Sequence, residues 1–465
     1  MITKMTQGNP TKLLLGFSLP LLAGNVFQQL YNLVDTVVVG RFVGAESLAA
    51  VGTVGVVMFF MYALLFGMGV GACIVTAQFF GARNYASLQK AVAALVYLTG
   101  ALTVIVTVLG VFGAPLIMRL LSVPDTIRAE SMLYMRICFS GTVCMAAYNA
   151  SSTILRSIGD SRTPFYAIVL SSLTNVAANL VFVLVLKMGT AGVAYGTVLS
   201  QALAAVLCIA VILRHKDELM LSGMSWKPDR AMTATIIRTG VPSAVQSALI
   251  SVGGMTVQGL VNSFGTATMA AYTAVQRIDS IAIQVVIAIA SALSVFTGQN
   301  IGSGNLARVK SALRSTLIMM MSACVAIALL VLTCGHWMLE LFLDAHTAAE
   351  SIAIGRQYLT VIGIAYIIAG VMQSYQHVIR GAGDVNVSLF AGISEVLGRI
   401  IFANLFVRLW GTWGIWIATP CSWFCGCLIP VIRYYSGRWL KHIAHGAVLQ
   451  PKAAENRAVS SESEK

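Results

Sequence analysis

Residues 76–84 read Thr76-Ala77-Gln78-Phe79-Phe80-Gly81-Ala82-Arg83-Asn84, and residues 297–305 read Thr297-Gly298-Gln299-Asn300-Ile301-Gly302-Ser303-Gly304-Asn305. Thr, Gln, Gly and Asn return in register at an offset of 221, and each stretch closes a long apolar run. The offset holds along the chain. Gly44, Leu48, Ala49 and Ala50 face Gly265, Met269, Ala270 and Ala271, and Pro20 faces Pro242. Arg156-Ser157-Ile158-Gly159-Asp160 returns as Arg380-Gly381-Ala382-Gly383-Asp384 at an offset of 224. Gly189-Thr190, Gly192, Thr197 and Ser200 return as Gly411-Thr412, Gly414, Thr419 and Ser422 at 222. Short loop insertions produce a drift of that size, so the chain is a duplication.

What is duplicated is a set of membrane spans. Of the 465 residues, 58% are hydrophobic and only 10% charged. Soluble domains carry about 25% charge, and disorder needs fewer apolar groups and more charge than this. A span needs about 20 apolar residues, and about twelve such runs are present, six on each side of a polar stretch. The sequence therefore predicts an all-α polytopic membrane protein: a six-helix bundle over 1–213, a linker over 214–232, a second bundle over 233–436, and a polar, disordered tail over 437–465. The fourth run is read as one span over 130–156. The nine cysteines lie in apolar stretches and read as small hydrophobes.

Lys and Arg set the orientation. With both termini inside, the inner loops hold roughly three times as many as the outer ones, which places N- and C-termini in the cytoplasm and the chain in the cytoplasmic membrane. The net charge of +13 then reads as loops facing anionic lipid, not as nucleic-acid binding. An even number of spans per copy brings both halves in from the same side, a parallel repeat. Two such bundles leave a cleft, and rocking one against the other gives alternating access. The reading is of a monomer acting on small molecules.

The doubled motifs carry a resemblance. Gly298-Gln299-Asn300-Ile301-Gly302 with Ala77-Gln78-Phe79-Phe80-Gly81, Leu155-Arg156-Ser157-Ile158-Gly159-Asp160 with Ile379-Arg380-Gly381-Ala382-Gly383-Asp384, and Asp35 in the first run resemble the multidrug and toxic-compound extrusion (MATE) transporters, over the chain to about residue 440. The resemblance implies a fold of the MATE/MOP type and secondary efflux of organic, cationic or amphipathic compounds, driven by inward flow of H+ or Na+ and needing no cofactor. It also implies a cation site in the first half at Asp35, Asn175, Asn179 and Thr197.

A charge inside a membrane is rare and needs a reason. Only Asp35, Asp279 and Glu395 among the acids sit well inside apolar runs, with Arg277 and Arg399 among the bases. Asp35 has no Lys or Arg within a helical turn, so nothing local neutralises it, and its hold on a proton responds to water access. Asn175 and Asn179 are i, i+4 and share a helix face. Many relatives carry an acid where Asn179 stands. Its loss weakens a sodium site, because hard cations favour several charged oxygens, and leaves a proton site intact, which favours H+. In the second half, Glu395 and Arg399 are i, i+4 and ready to pair; with Gln246 and Asp279 they form a candidate polar network, either a structural ion pair or a coupling site.

Competing functions leave weaker traces. No Gly-x-x-x-x-Gly-Lys-[Ser/Thr] loop is present, so ATP does not drive transport directly. Neither His-Glu-x-x-His nor Gly-x-Ser-x-Gly occurs, which speaks against an enzyme. A flippase for lipid-linked saccharides, of the same superfamily, would want basic residues in its cleft, yet the two candidates, Arg277 and Arg399, stand beside acids.

Overall fold

A computed structural model describes residues 4–219, 221–344 and 348–440; the tail is thus outside the described residues from 441 onward. Among the described residues there is no strand. The helices are α1 (Pro10–Val38), α2 (Ala45–Gly81), α3 (Tyr85–Phe112), α4 (Ala114–Leu120), α5 (Asp125–Ser140), α6 (Thr142–Ser157), α7 (Arg162–Leu180) and α8 (Gly189–Arg214). After the linker come α9 (Arg230–Asn262), α10 (Thr266–Gly302), α11 (Leu306–Glu340), α12 (Ala349–Gly381), α13 (Val385–Trp410) and α14 (Thr412–Tyr435). Two of them end in a widened π turn, α1 over Val39–Val43 and α7 over Val181–Val185.

Among the described residues, eleven helices are long and apolar enough to cross a membrane. The run over 130–156 is not one continuous helix: it lies over α5 and α6, 16 residues each, broken at Gly141. At 1.5 Å per residue, each covers about 24 Å, short of a hydrocarbon core of about 30 Å. A Cβ on Gly141 would stand 2.2 Å from Val198 of α8, so the break lets the chain run against that helix. The break is also compensated: Thr107 of α3 donates to the Phe139 carbonyl at 3.1 Å. Helix α3 stops at Phe112, and Ala114 and Pro115 begin the separate turn of α4.

The chain folds as two compact units. Unit 1 holds Leu19–Thr76 and Tyr85–Val245, and so includes the linker. There Lys90 of α3 pairs with Asp229 at 3.1 Å, and the Tyr97 hydroxyl donates to the Trp226 carbonyl. Unit 2 holds Lys4–Ser18, Ala77–Asn84 and the described residues from Gln246 onward. Its centre is aromatic. Trp416, fully buried, stacks on Tyr358 at 4.3 Å, and Tyr272 stacks on Tyr358 at 5.7 Å.

The duplicated motif closes unit 2 at one end. A Cβ on Gly81 would stand 1.9 Å from the Gln299 carbonyl, and a Cβ on Gly302 1.9 Å from the Gln78 carbonyl. The ends of α2 and α10 therefore touch backbone to backbone, each glycine against the other copy's glutamine. Gln78 donates to the Gly381 carbonyl at 2.9 Å. Gln299 accepts the Met5 backbone N–H at 3.0 Å, and Met5 is fully buried.

Candidate functional site

In unit 1, α1 carries Asp35 one turn before its π turn, and α7 carries Asn179 just before its own. π turns shift the register of a helix and concentrate at functional sites. The Asn179 side-chain amide donates to the Asp35 carboxylate and, at 3.0 Å, to Asn175 Oδ1. Both asparagines are fully buried, and Asp35 is partly so. A carboxylate only accepts when ionised, so the amide must turn its nitrogen to Asp35. That leaves Asn179 Oδ1 and Asn175 Nδ2 without a partner among the described residues. Gly196 of α8 makes the room: a Cβ there would stand 2.0 Å from Asn179 Oδ1.

Thr197, the fourth residue read from the sequence, reaches the group through Tyr31, which lies one turn before Asp35 on α1. The Tyr31 hydroxyl stands between the Asp35 carboxylate and Thr197 Oγ1, the latter at 3.3 Å, with one proton to give to either. Thr197 in turn donates to the Val193 carbonyl at 3.0 Å. No Lys or Arg of the described residues forms an ion pair with Asp35. One carboxylate and one free amide oxygen make a thin ligand set for a hard cation, whereas a proton needs a single titrating group.

Sequence reading missed Tyr31 here and, elsewhere in unit 1, Glu130. Tyr31 was legible, at i−4 from Asp35 on one helix face. Glu130 was not: it opens α5's apolar part and accepts from Ser47 at 2.6 Å and from Thr190 at 2.9 Å, near the starts of α2 and α8. Nothing local signals that junction.

In unit 2 Gln246 stands apart from the other three residues grouped as a polar network, while Asp279 feels the charge of Arg399. Arg399 donates to Glu395 at 2.8 Å, and the Trp423 indole bonds the same carboxylate. Asp279 accepts from the Tyr366 hydroxyl. Arg277 is exposed and forms no ion pair among the described residues. Gln246 joins neither acid. It accepts from Arg380 at 2.6 Å and donates to Gln376 at 3.4 Å.

Comparison with known proteins concerns the chain as a whole. The MatE family model matches twice, over residues 20–181 and 242–405, which repeats the offset read from the motifs. The "Probable multidrug resistance protein YpnP" of Bacillus subtilis is 30% identical over 93% of this chain and 97% of its own length. The "Probable multidrug resistance protein NorM" of Thermotoga maritima is 22% identical over 92% and 93%. Among solved structures, an outward-facing multidrug resistance MATE family transporter of the MOP superfamily matches with a TM-score of 0.88 at 23% identity, over 95% of this chain and 98% of that one. Both halves match one family model, and a relative aligns over nearly the full length: the chain belongs to the MatE family of multi-span membrane transporters.

Proposed function

We propose that the protein is a secondary antiporter of the cytoplasmic membrane, with both termini inside, that exports small organic cations or amphipathic compounds in exchange for protons, and that Asp35 carries the coupling proton. The bond from buried Asn179 to Asp35, with no cation beside it, carries the reading. The printed names of the relatives, multidrug resistance or export proteins, support the substrate class.

The Tyr31 hydroxyl has one proton to give. When Asp35 is ionised, that proton serves the carboxylate. When Asp35 holds its own proton, it becomes a donor, and Tyr31 turns to Thr197. Protonation thus rewires the contact between α1 and α8 without a metal. Antiport requires that proton entry and substrate retention exclude each other, a reciprocal coupling between two sites; alternating access of the two halves then carries each across in turn.

The test is export from proteoliposomes under separately imposed proton and sodium gradients. The wild type is expected to respond to the proton gradient. Asp35→Asn, a permanent mimic of the protonated form, is expected to fold, reach the membrane and lose export against a gradient. Asp35→Glu keeps a titrating group and retains part of the activity. Wild-type export by Asp35→Asn, with unchanged dependence on external pH, would place the coupling elsewhere.

A further inference from the structure

A different cluster, independent of the proposed antiport, carries one more reading. Arg380 ends α12, and a guanidinium can only donate. Gln246, receiving its bond at 2.6 Å, must therefore turn its oxygen to Arg380 and its nitrogen away. That nitrogen donates to Gln376 Oε1 at 3.4 Å, so Gln376 in turn presents its oxygen to Gln246 and its Nε2 elsewhere. The relay fixes both amide orientations chemically. Its first and last members each keep a buried donor, Arg380 Nε and Gln376 Nε2, with no acceptor among the described residues. Gln376 is 1% exposed. The two residues are i, i+4 and share one face of α12.

The guanidinium also lacks a counter-charge. No carboxylate of the described residues lies within ion-pair distance of Arg380, and the acid four residues on, Asp384, is paired with Arg433 at 2.9 Å. Room for the relay is built in: a Cβ on Gly392 of α13 would stand 2.8 Å from Gln246 Cγ. The first copy of the motif differs. There Arg156 gives its Nε to the Ser152 carbonyl at 3.3 Å, and Ser152 and Gly24 stand at the positions of Gln376 and Gln246. The second copy alone has two glutamines and two spare donors.

We infer that Arg380 and Gln376 form a binding site for a small monovalent anion, a halide or the carboxylate of an organic molecule, held by Arg380 Nε and Gln376 Nε2. An acceptor with negative charge satisfies both donors and neutralises the guanidinium, which a water molecule does not.

The purified full-length protein in detergent, titrated with chloride and separately with acetate at ionic strength held by a bulky sulfonate, tests this through its thermal unfolding temperature. A saturating rise with chloride alone assigns a free inorganic anion, and one with acetate assigns a carboxylate ligand. Gln376→Leu is expected to weaken the apparent affinity at least tenfold, and Arg380→Gln to abolish the response. Should Arg380→Gln fail to fold, Gln376→Leu decides alone. No saturable response in the wild type, or an equal response in Gln376→Leu, would overturn the site and leave the donors bridged by water only.

Discussion

Glu395 is 5% exposed, and its partner Arg399 points a guanidinium at it from the next turn of α13. Removing one member of such a pair leaves a buried charge uncompensated, a loss of about 3–5 kcal/mol, whereas removing both leaves none. Glu395→Gln or Arg399→Leu alone should therefore cut the folded yield on size exclusion, and the double variant should recover part of it. Single variants that fold normally and lose only transport would show that the pair serves function instead. The i, i+4 spacing made this pair legible in the sequence, as it did Asn175 with Asn179. Spacing along one helix says nothing of what a third helix brings. Tyr366 against Asp279, Glu130 between Ser47 and Thr190, and Gln246 beside Arg380 rather than Asp279 are all of that kind. A polar side chain in an apolar run announces that it needs a partner, not which one.

Among the elements, the contact of α2 with α10 is the tightest consequence of the duplicated motif. A Cβ on Gly302 would meet backbone, which cannot swing aside as a side chain does. Gly302→Ala should cost about 1–3 kcal/mol or more through overpacking, read as a lower unfolding temperature, while Gly304→Ala fills open space and is limited by its positive φ of 75°. The start of α9 rests on Asp229, which accepts the Met232 backbone N–H at 2.9 Å and pairs with Lys90. The Met232 N–H first, and Lys90 second, hold its carboxyl below the usual carboxylate range. Its stabilisation is thus full above the unfolded value of about 3.9 and is lost as pH falls through the lower folded value. Asp229→Ala should cost about 1 kcal/mol at neutral pH, and the gap to wild type in hydrogen exchange at the first turn of α9 should close below about pH 4. The break at Gly141 escaped sequence reading for a physical reason. Hydropathy is continuous across it, and the side chain that packs on the glycine, Val198, lies 57 residues away in the chain.

At the scale of the molecule, the repeat and the packing divide the chain differently. The motifs assign residues up to 213 to the first copy, yet Lys4–Ser18 and Ala77–Asn84 pack in unit 2. Two copies of one motif offer the same groups to a partner, so sequence shows that a duplication exists without showing which copy each end joins. Deleting residues 2–8 should therefore weaken the unit built mostly from the other end of the chain. Met5 loses full burial, worth about 1.5–3 kcal/mol, and its carbonyl no longer accepts from Asn300 and Arg308, each at 3.1 Å. A fall in unfolding temperature with Asp35 chemistry unchanged would match this. The same contact has a meaning in time. Met5 leaves the ribosome some 300 residues ahead of Gln299, Asn300 and Arg308. At about 5–20 residues per second, the amino terminus waits roughly 15–60 s for the groups that hold it. Through that interval the Met5 backbone N–H and carbonyl lack the partners that α10 and α11 later bring.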